Sequence, residues 1–588
     1  MKKFTKNIFH FFCSKKGTAV SLILLYSLSV FYIYLLYGKS SHGPVHLNDE
    51  ITYFKTAFSF FNGVFDIKEF HHFPPLYPLS LLPAFLFFYP NNIYPAIKLL
   101  NAIYICSVIF PVYLILQNFL NKKEIFIALF IFILNPINVV FPRSVLSENI
   151  FYPLLIWSVY FTLFRSTNKS QLINILADLF LGVLYSALIF TRFIAIAVVP
   201  GLLFIWLIKL FFGGKFSARQ TLRYFPRIFL VILPILIFIG LWLYSGSING
   251  VSAKDVLGFS ITGSPNPLQT TPYNLLIWTI FYLAYACLML GPGFIIFLFS
   301  AINIKDFKID EKYYQWFFAC LVICGTFLIA SIEHSWSANY NFPDPVKIQG
   351  RYIIYIGPLF YITSLIFIKR SEKFNYSLIE KVLVSLISLC LILFSFLVLF
   401  KGILFIDKPL SIAISSPDGY LFGLLGYFYL LIILIFTILI FNFLNNEKVL
   451  FGLFFAINLV IVLSGTFLIY RAILYPRQLD NIQIIKFVNF LDINKEKSTS
   501  IRDIPITINI PESTTDSVIN NWQNTLLFNG FNNISFEINK SQDVEPNIVL
   551  QSYFNKHMYY LKTVDTCGEF YCEKFIHSNK KFAVIKGK

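Results

Sequence analysis

The sequence predicts an all-α polytopic membrane protein with a small α/β domain at its C-terminal end. Of its 588 residues, 57% are hydrophobic and 19% aromatic, whereas 13% are charged. Soluble domains carry about 25% charged residues, and a disordered chain would be poor in aromatic residues. Apolar runs of about 20 residues, enough to cross a bilayer, recur over residues 1–475. Residues 476–588 are polar instead. This composition excludes a soluble enzyme and a disordered chain.

The apolar runs predict about thirteen spans. The first, Gly17–Tyr37, follows a cluster of lysines and has no small-residue cleavage site, so it is predicted to be a signal anchor with its N-terminus in the cytoplasm. The others are predicted near Ile93–Leu120, Ile125–Val140, Ile150–Phe164, Ile173–Phe190, Phe193–Phe212, Ile228–Tyr244, Leu275–Phe299, Trp316–Ser331, Ile353–Ile368, Val382–Phe400, Leu421–Phe443 and Val449–Tyr470.

The loops that this alternation assigns to the cytoplasm are all basic, as the positive-inside rule requires. They hold Lys122/Lys123, Arg165/Lys169, Lys215/Arg219/Arg223/Arg227, Lys305/Lys308/Lys312, Lys369/Arg370/Lys373/Lys381 and Lys448. The net charge of +17 therefore indicates topology, and no nucleic-acid partner is expected. We predict a multi-pass protein of the cell (plasma or inner) membrane whose odd number of spans places residues 476–588 outside the cytoplasm.

The segment 476–588 is long enough to bury a core of its own. Strand-like runs are predicted at Pro505–Ile510, Ile534–Ile538, Ile548–Leu550 and Phe582–Ile585, with a helix at Thr515–Phe528. Cys567 and Cys572 are expected to form a disulfide in an oxidising compartment. A metal site is the weaker interpretation of this pair, because no second cysteine pair or close histidine pair accompanies it.

Ionisable side chains beside apolar spans are costly and indicate function, and the predicted outer side holds several. The first outer loop, 38–92, contains Asp49-Glu50, His71-His72 and Pro74-Pro75-Leu76-Tyr77; its apolar stretch Leu79–Phe88 is too short to span and is predicted to lie at the interface. The other outer charges are Arg143, Glu148, Arg192, Glu333, His334, Asp344, Lys347 and Arg351.

These motifs, in this order and on one side, resemble those of the GT-C glycosyltransferases. The likeness is to the lipid-carrier-dependent branch related to protein O-mannosyltransferases and the aminoarabinose transferase of lipid A. It is carried by Asp49-Glu50, Pro74-Pro75-Leu76-Tyr77-Pro78-Leu79, Ser144-Val145-Leu146-Ser147-Glu148, Thr191-Arg192 and Gly350-Arg351-Tyr352. The resemblance implies a GT-C-like catalytic module over 1–475. It also implies inverting transfer of a sugar from a polyprenyl-phosphate carrier to a lipid, glycan or protein acceptor of the cell envelope, at the outer face.

The chemistry of such a transfer assigns provisional roles to the residues. An attacking hydroxyl must lose a proton, so a carboxylate is needed as base; Asp49 is the first choice, and sequence alone does not separate it from Glu50. Glu148 is expected to orient hydroxyl groups, with Arg143 or Arg192 as its partner. Cations must stabilise the leaving phosphate. The expected phosphate-binding residues are Arg351, Lys347 and His72, with Tyr77 and Tyr352 in support.

One departure concerns the donor headgroup. Where aminoarabinose-transferase relatives carry an acidic residue and a lysine before the Pro-Pro pair, this chain has His72-Phe73, so one expected phosphate cation is missing. No cofactor is predicted, and the outer loops contain no Asp-X-Asp pair that would indicate a metal site. Metal-independent chemistry is favoured, with a divalent cation left open.

Two other classes compete with this interpretation. An oligosaccharide polymerase or ligase using a diphosphate-linked donor would be expected to carry a large Arg-rich outer loop late in the chain. A lipid-linked-sugar flippase or transporter would carry its ionisable residues in the middle of spans. Here they collect at outer helix ends, which favours an outer-face active site.

Overall fold

The fold was analysed in a computed structural model of the chain. The structure describes residues 15–38, 47–65, 73–88, 93–135, 141–164, 171–212, 218–257, 272–302, 311–338, 347–348, 354–373, 376–395, 411–412, 424–444 and 446–469. Beyond these it describes six strands between residues 506 and 586.

The described part is mostly helical. The helices are α1 Lys15–Ile33, α2 Leu47–Phe61, α3 Leu76–Ser80, α4 Leu82–Phe88, α5 Ile93–Cys106, α6 Ile109–Leu116, α7 Lys122–Leu134, α8 Glu148–Phe164, α9 Gln171–Thr191 and α10 Ala195–Phe212. They continue with α11 Ala218–Ile248, α12 Ala253–Val256, α13 Pro272–Leu290, α14 Pro292–Ile302, α15 Glu311–Ala338, α16 Gly357–Arg370, α17 Leu378–Ser395, α18 Leu424–Phe443 and α19 Glu447–Ile469.

Among the described residues, five helical segments are long and apolar enough to cross a membrane. They are Gly17–Leu36, Ile93–Leu116, Gln171–Thr191, Phe225–Ile248 and Lys312–Ile332, and a bent pair, Trp278–Cys287 with Pro292–Ala301, brings the number to six if it forms one span. The chain is therefore a multi-pass membrane protein. The full set of about thirteen spans stays a prediction.

Several predicted boundaries need correction. The expected single run Leu275–Phe299 is two helices bent by 117°, because Gly291 takes a positive φ of 48° and proline follows it. The expected run Ile93–Leu120 forms one candidate span, Ile93–Leu116, with a turn at Ser107 and Val108. The turn arises because the ring of Pro111 would clash with the carbonyl group four residues earlier in a regular helix. Conversely, α11 begins at Ala218, so part of a predicted basic loop is helical; arginine is a good helix former.

Contacts between helices join residues that the sequence assigns to the same side of the membrane. On the predicted cytoplasmic side, Arg227 Nε lies 2.9 Å from the Asp178 carboxylate. Lys369 Nζ lies 2.8 Å from Glu124 and 2.7 Å from Glu447, tying α16 to α7 and α19. These pairs agree with the predicted alternation of spans, while the orientation of the whole chain stays a prediction.

A separate apolar cluster fixes the elements of the first outer loop. Tyr53, Phe54 and Ala57 on α2 pack against side chains of α3, α4 and α5 and against Val145 and Leu146, which precede α8. The spacing of these α2 residues places them on one helix face. Lys55 of the same helix points away from that face and is exposed. The cluster therefore sets α2 against the start of α8, the two elements that carry Asp49 and Glu148.

The short helices after the Pro-Pro pair carry exposed apolar side chains, namely Leu79, Leu86, Phe87 and Phe88. A single helix over Leu79–Phe88 was predicted here, whereas the structure forms two short helices, α3 and α4. The apolar segment Leu76–Phe88 is shorter than a span. Their place at the membrane interface stays a prediction.

The polar C-terminal segment contains six strands, β3 Ile506–Pro511, β4 Ile534–Asn539, β5 Asn547–Gln551, β6 Met558–Lys562, β7 Cys572–Glu573 and β8 Ala583–Lys586. They form one sheet of order β4-β3-β5-β6-β8-β7. β3 and β4 are parallel and the other pairs antiparallel. Four strands match predicted ones, β6 and β7 were not predicted, and the helix predicted at Thr515–Phe528 lies outside the described residues.

A second, two-stranded pairing joins two loops that were both predicted outside. β1 Lys347–Ile348 runs parallel to β2 Ser411–Ile412. Because paired strands lie side by side, residues 347–348 and 411–412 share one side of the membrane.

Candidate active site

The two neighbouring acidic residues at the start of α2 occupy different environments. Both lie in the first helical turn, where the helix dipole favours negative charge. Glu50 is fully buried, whereas Asp49 is partly exposed. Successive helical residues point about 100° apart, which explains why one side chain enters the protein and the other stays accessible. Of these two residues, only Asp49 is accessible to solvent.

Glu50 connects α2 to two other elements. Its Oε2 atom accepts a hydrogen bond of 2.8 Å from the Val145 backbone amide and one of 3.3 Å from the Tyr94 hydroxyl of α5. A buried carboxylate is stable only when it is paired or hydrogen-bonded. Glu50 thus fixes α2 against the segment that leads into α8.

Glu148 forms a buried ion pair with Arg192, the residue that follows α9. Arg192 Nη1 lies 2.5 Å from Glu148 Oε1, and the two side chains are 10% and 0% exposed. The sequence left Arg143 and Arg192 open as partners of Glu148; the structure pairs it with Arg192. A guanidinium in this position holds the carboxylate in one orientation.

Ser147 and Tyr53 extend this pair toward α2. The Ser147 hydroxyl lies 2.8 Å from the Tyr53 hydroxyl and accepts a hydrogen bond of 3.3 Å from Arg192 Nη1. Tyr53 is one helical turn after Asp49, and the charges of Arg192, Glu148 and Asp49 all act on its hydroxyl. Asp49, Tyr53, Ser147, Glu148 and Arg192 therefore converge on one place, which we call the outer acidic site.

Tyr53 of the outer acidic site and the neighbouring Tyr77 remain protonated. Burial raises the pKa of Tyr53 well above its ordinary value, against the opposing effect of the Arg192 charge. Burial likewise raises the pKa of Tyr77, whose ring meets that of Tyr53 edge-on at 5.1 Å. The Tyr77 hydroxyl donates to Asn101 Oδ1 at 3.0 Å. Neither hydroxyl therefore acts as a base, and that of Tyr77 is a hydrogen-bond donor.

A second group of charges lies behind Glu50. Lys98 and Arg143 are both buried, the Lys98 ammonium interacts with the charges of Glu50 and Arg143, and its Nζ lies 4.4 Å from the Tyr94 ring centroid. Lys98 is not among the site residues predicted from the sequence. The signal was present, because a lysine inside a predicted span is by itself a reason to suspect function.

Other predicted residues are not placed by the structure. His72, Arg351 and Tyr352 lie outside the described residues, and for Lys347 only the backbone of β1 is described. Tyr355, however, lies with its ring centroid 5.7 Å from the Arg192 guanidinium.

In the described ranges, no three His, Cys, Asp or Glu side chains are grouped so that they could hold a metal ion. Metal-independent chemistry stays a prediction. The expected disulfide also stays a prediction, since Cys567 lies outside the described residues.

Fold and site together define a multi-pass membrane protein with a buried acidic–basic site at the predicted outer ends of its helices. No family model matches the chain, and no curated protein matches it. Among solved structures, the chain is similar to ArnT from Cupriavidus metallidurans bound to undecaprenyl phosphate, at 11% identity and a TM-score of 0.48 over 89% of this chain and 86% of that one. It is also similar to ArnT from Cupriavidus metallidurans in the apo state, at 12% identity and a TM-score of 0.46 over 90% of this chain and 87% of that one.

The chain is also similar to the Archaeoglobus fulgidus oligosaccharyltransferase tethered with an acceptor peptide, at 13% identity and a TM-score of 0.37 over 76% of this chain and 55% of that one. ArnT is an aminoarabinose transferase, and both proteins are GT-C glycosyltransferases. The sequence motifs of the chain resemble those of the same class.

Proposed function

We propose that the protein is an inverting membrane glycosyltransferase that moves a sugar from a polyprenyl-phosphate carrier to a cell-envelope acceptor at the outer face. The observation that carries the proposal is the convergence at the outer acidic site. An accessible carboxylate, Asp49, lies beside a carboxylate held by arginine, Glu148 with Arg192. Because the two carboxylates lie in different fixed environments, they are suited to different roles.

In the proposed reaction Asp49 accepts the proton of the acceptor hydroxyl as its oxygen bonds to the anomeric carbon. The bond from that carbon to the phosphate oxygen breaks in the same displacement. The electron pair leaves with the polyprenyl phosphate, a leaving group that requires no general acid. Because the reaction is a single displacement, the configuration at the anomeric carbon inverts. Glu148, held in one orientation by Arg192, accepts hydrogen bonds from sugar or acceptor hydroxyls.

The leaving phosphate needs cations. Arg351 remains the first candidate, since the chain that follows it reaches Tyr355 beside Arg192. Lys347 and His72 are proposed as helpers. The missing lysine before the Pro-Pro pair places more weight on these residues than in aminoarabinose-transferase relatives.

The placement of charge also bears on the competing classes. Lys98 is the sixth residue of the segment Ile93–Leu116, and Asp178 is the eighth of Gln171–Thr191. Lys98 lies toward the end of its segment. Asp178 lies three residues before the middle of its segment, which is one unbroken helix, and its carboxylate is paired with Arg227. Neither residue therefore lies at a broken midpoint, where a transporter would be expected to bind its substrate. This favours the transferase over the flippase.

The test is turnover by purified protein in detergent across a panel of polyprenyl-phosphate sugars, comparing wild type with Asp49→Asn and with Asp255→Asn. Asp255 is a matched control, because it is a carboxylate that bonds locally to Ser252. We expect Asp49→Asn to lose at least about 10³-fold in kcat, in line with loss of a general base, with donor binding kept. Asp255→Asn should match wild type. Full activity in Asp49→Asn would reject the base, and no turnover of any lipid-linked sugar would reject the function.

A further inference from the structure

We propose that Glu50 is a positioning residue of this site: its buried carboxylate fixes the distance between the helix that carries Asp49 and the helix that carries Glu148. This inference rests on the proposed function for its consequence in catalysis. Its structural part, a clamp between two segments, stands on the contacts alone.

The clamp joins three parts of the chain that are distant in sequence. Glu50 belongs to α2, Tyr94 to α5, and Val145 to the segment before α8, separated from Glu50 by 44 and 95 positions respectively. A single atom, Oε2, accepts both hydrogen bonds. Any shift of α2 along its axis would therefore break at least one of them.

Val145 lies close to the residues that the clamp would position. The Val145 amide precedes Ser147 by two residues and Glu148 by three. In the other direction, Asp49 directly precedes Glu50 in the same helical turn. The separation of Asp49 from Glu148 is thus set by the Glu50–Val145 hydrogen bond of 2.8 Å, supported by the Tyr53–Ser147 contact of 2.8 Å one helical turn away.

The burial of Glu50 determines what it can do. Its side chain is fully buried and interacts electrostatically with Lys98 on α5, so it has no open route to a substrate hydroxyl. It cannot be the base by contact, which resolves the choice between the two neighbouring acids in favour of Asp49. An error of about 1 Å in the placement of a catalytic group can cost about 10²-fold in rate, so a clamp in this place has a measurable consequence.

The test combines turnover with hydrogen exchange at the Val145 backbone amide, followed in peptides that span residues 141–147. Glu50→Ala removes the acceptor; we expect loss of protection at Val145 and a fall in kcat of about 10²-fold, with the donor KM within about twofold of wild type. Glu50→Gln keeps an oxygen in the same place, so protection should persist and kcat should recover at least about tenfold over Glu50→Ala. Lys55→Gln, exposed on the same helix, is the matched control and should equal wild type in both assays.

Glu50→Asp provides a second comparison should Glu50→Ala fail to fold. It keeps the charge but withdraws the carboxylate by one methylene, so Val145 should be less protected than in Glu50→Gln. A Glu50→Gln variant as inactive as Asp49→Asn, with Val145 still protected, would overturn the proposal and assign Glu50 a chemical role. Unchanged kcat in Glu50→Ala would overturn it as well. If wild type turns over no lipid-linked sugar, the proposed function fails, and the exchange data alone decide whether the clamp exists.

Discussion

Replacing Arg192 by alanine is expected to destabilise the folded protein by about 3–5 kcal/mol, the range found when one partner of a buried ion pair is removed. We expect a destabilisation near the upper end of this range, because Glu148 is 0% exposed and Arg192 only 10%, so water cannot replace the lost cation. The substitution also removes the hydrogen bond to Ser147. The measurement is the free energy of unfolding in detergent micelles, from denaturant titration. Replacing both members, as Glu148→Gln with Arg192→Met, should cost less than the sum of the single changes.

The pair between Arg227 and Asp178 offers a matched control on the predicted cytoplasmic side. Asp178 is buried, but Arg227 is 20% exposed, so Arg227→Ala should cost less, about 1–3 kcal/mol. Turnover by folded Arg227→Ala should equal that of wild type, whereas Arg192→Ala should lose activity even where it is fully folded. A cost below about 1 kcal/mol for Arg192→Ala would refute the argument that Glu148 depends on this cation.

Two other predictions concern packing and pH. A Cβ at Gly182 would lie 2.3 Å from the Val231 carbonyl oxygen. Gly182→Ala should therefore lower the unfolding free energy by about 1–3 kcal/mol, because it forces α9 away from α11. Gly240→Ala, whose Cβ would meet nothing within 4 Å, should leave the unfolding free energy unchanged, and equal stability of the two variants would contradict the close approach at Gly182. Burial raises the pKa of Tyr77, so the stability it contributes is complete below the ordinary value of 10 and is lost as pH rises above it. Tyr77→Phe should therefore lose unfolding free energy less steeply above pH 10 than wild type, by about 1.4 kcal/mol per pH unit, and identical slopes would show that Tyr77 ionises freely in the folded protein.

Periodicity and charge predicted much of the fold. The apolar runs correspond to helices throughout the described part, and the basic loops predicted which ends lie together, as the pairing of Lys369 with Glu124 and Glu447 illustrates. Hydropathy does not report backbone geometry, so the bend at Gly291 and the break before Pro111 were missed although both residues are visible in the sequence.

The candidate site was predicted in its composition but not in its pairing. Sequence selected Asp49, Glu50, Glu148 and Arg192, because charges beside spans are costly. It did not separate Asp49 from Glu50, since burial depends on which helix face meets the neighbouring segment. The partner of Glu148 was also open, because pairing between distant helices follows from packing and not from local pattern.

The double ion pair of Lys369 has a consequence for how the protein is made. During insertion, basic residues decide which loops stay in the cytoplasm, and acidic residues contribute little. Lys369 would act then as a free positive charge, before Glu124 and Glu447 have been brought beside it. Once the helices assemble, its ammonium lies within 2.8 Å of both carboxylates and joins three helices. One side chain thus first orients the chain and later stabilises the assembled helices. Lys369→Gln and the double variant Glu124→Gln/Glu447→Gln should therefore disturb biogenesis differently, because only Lys369→Gln removes a topological signal.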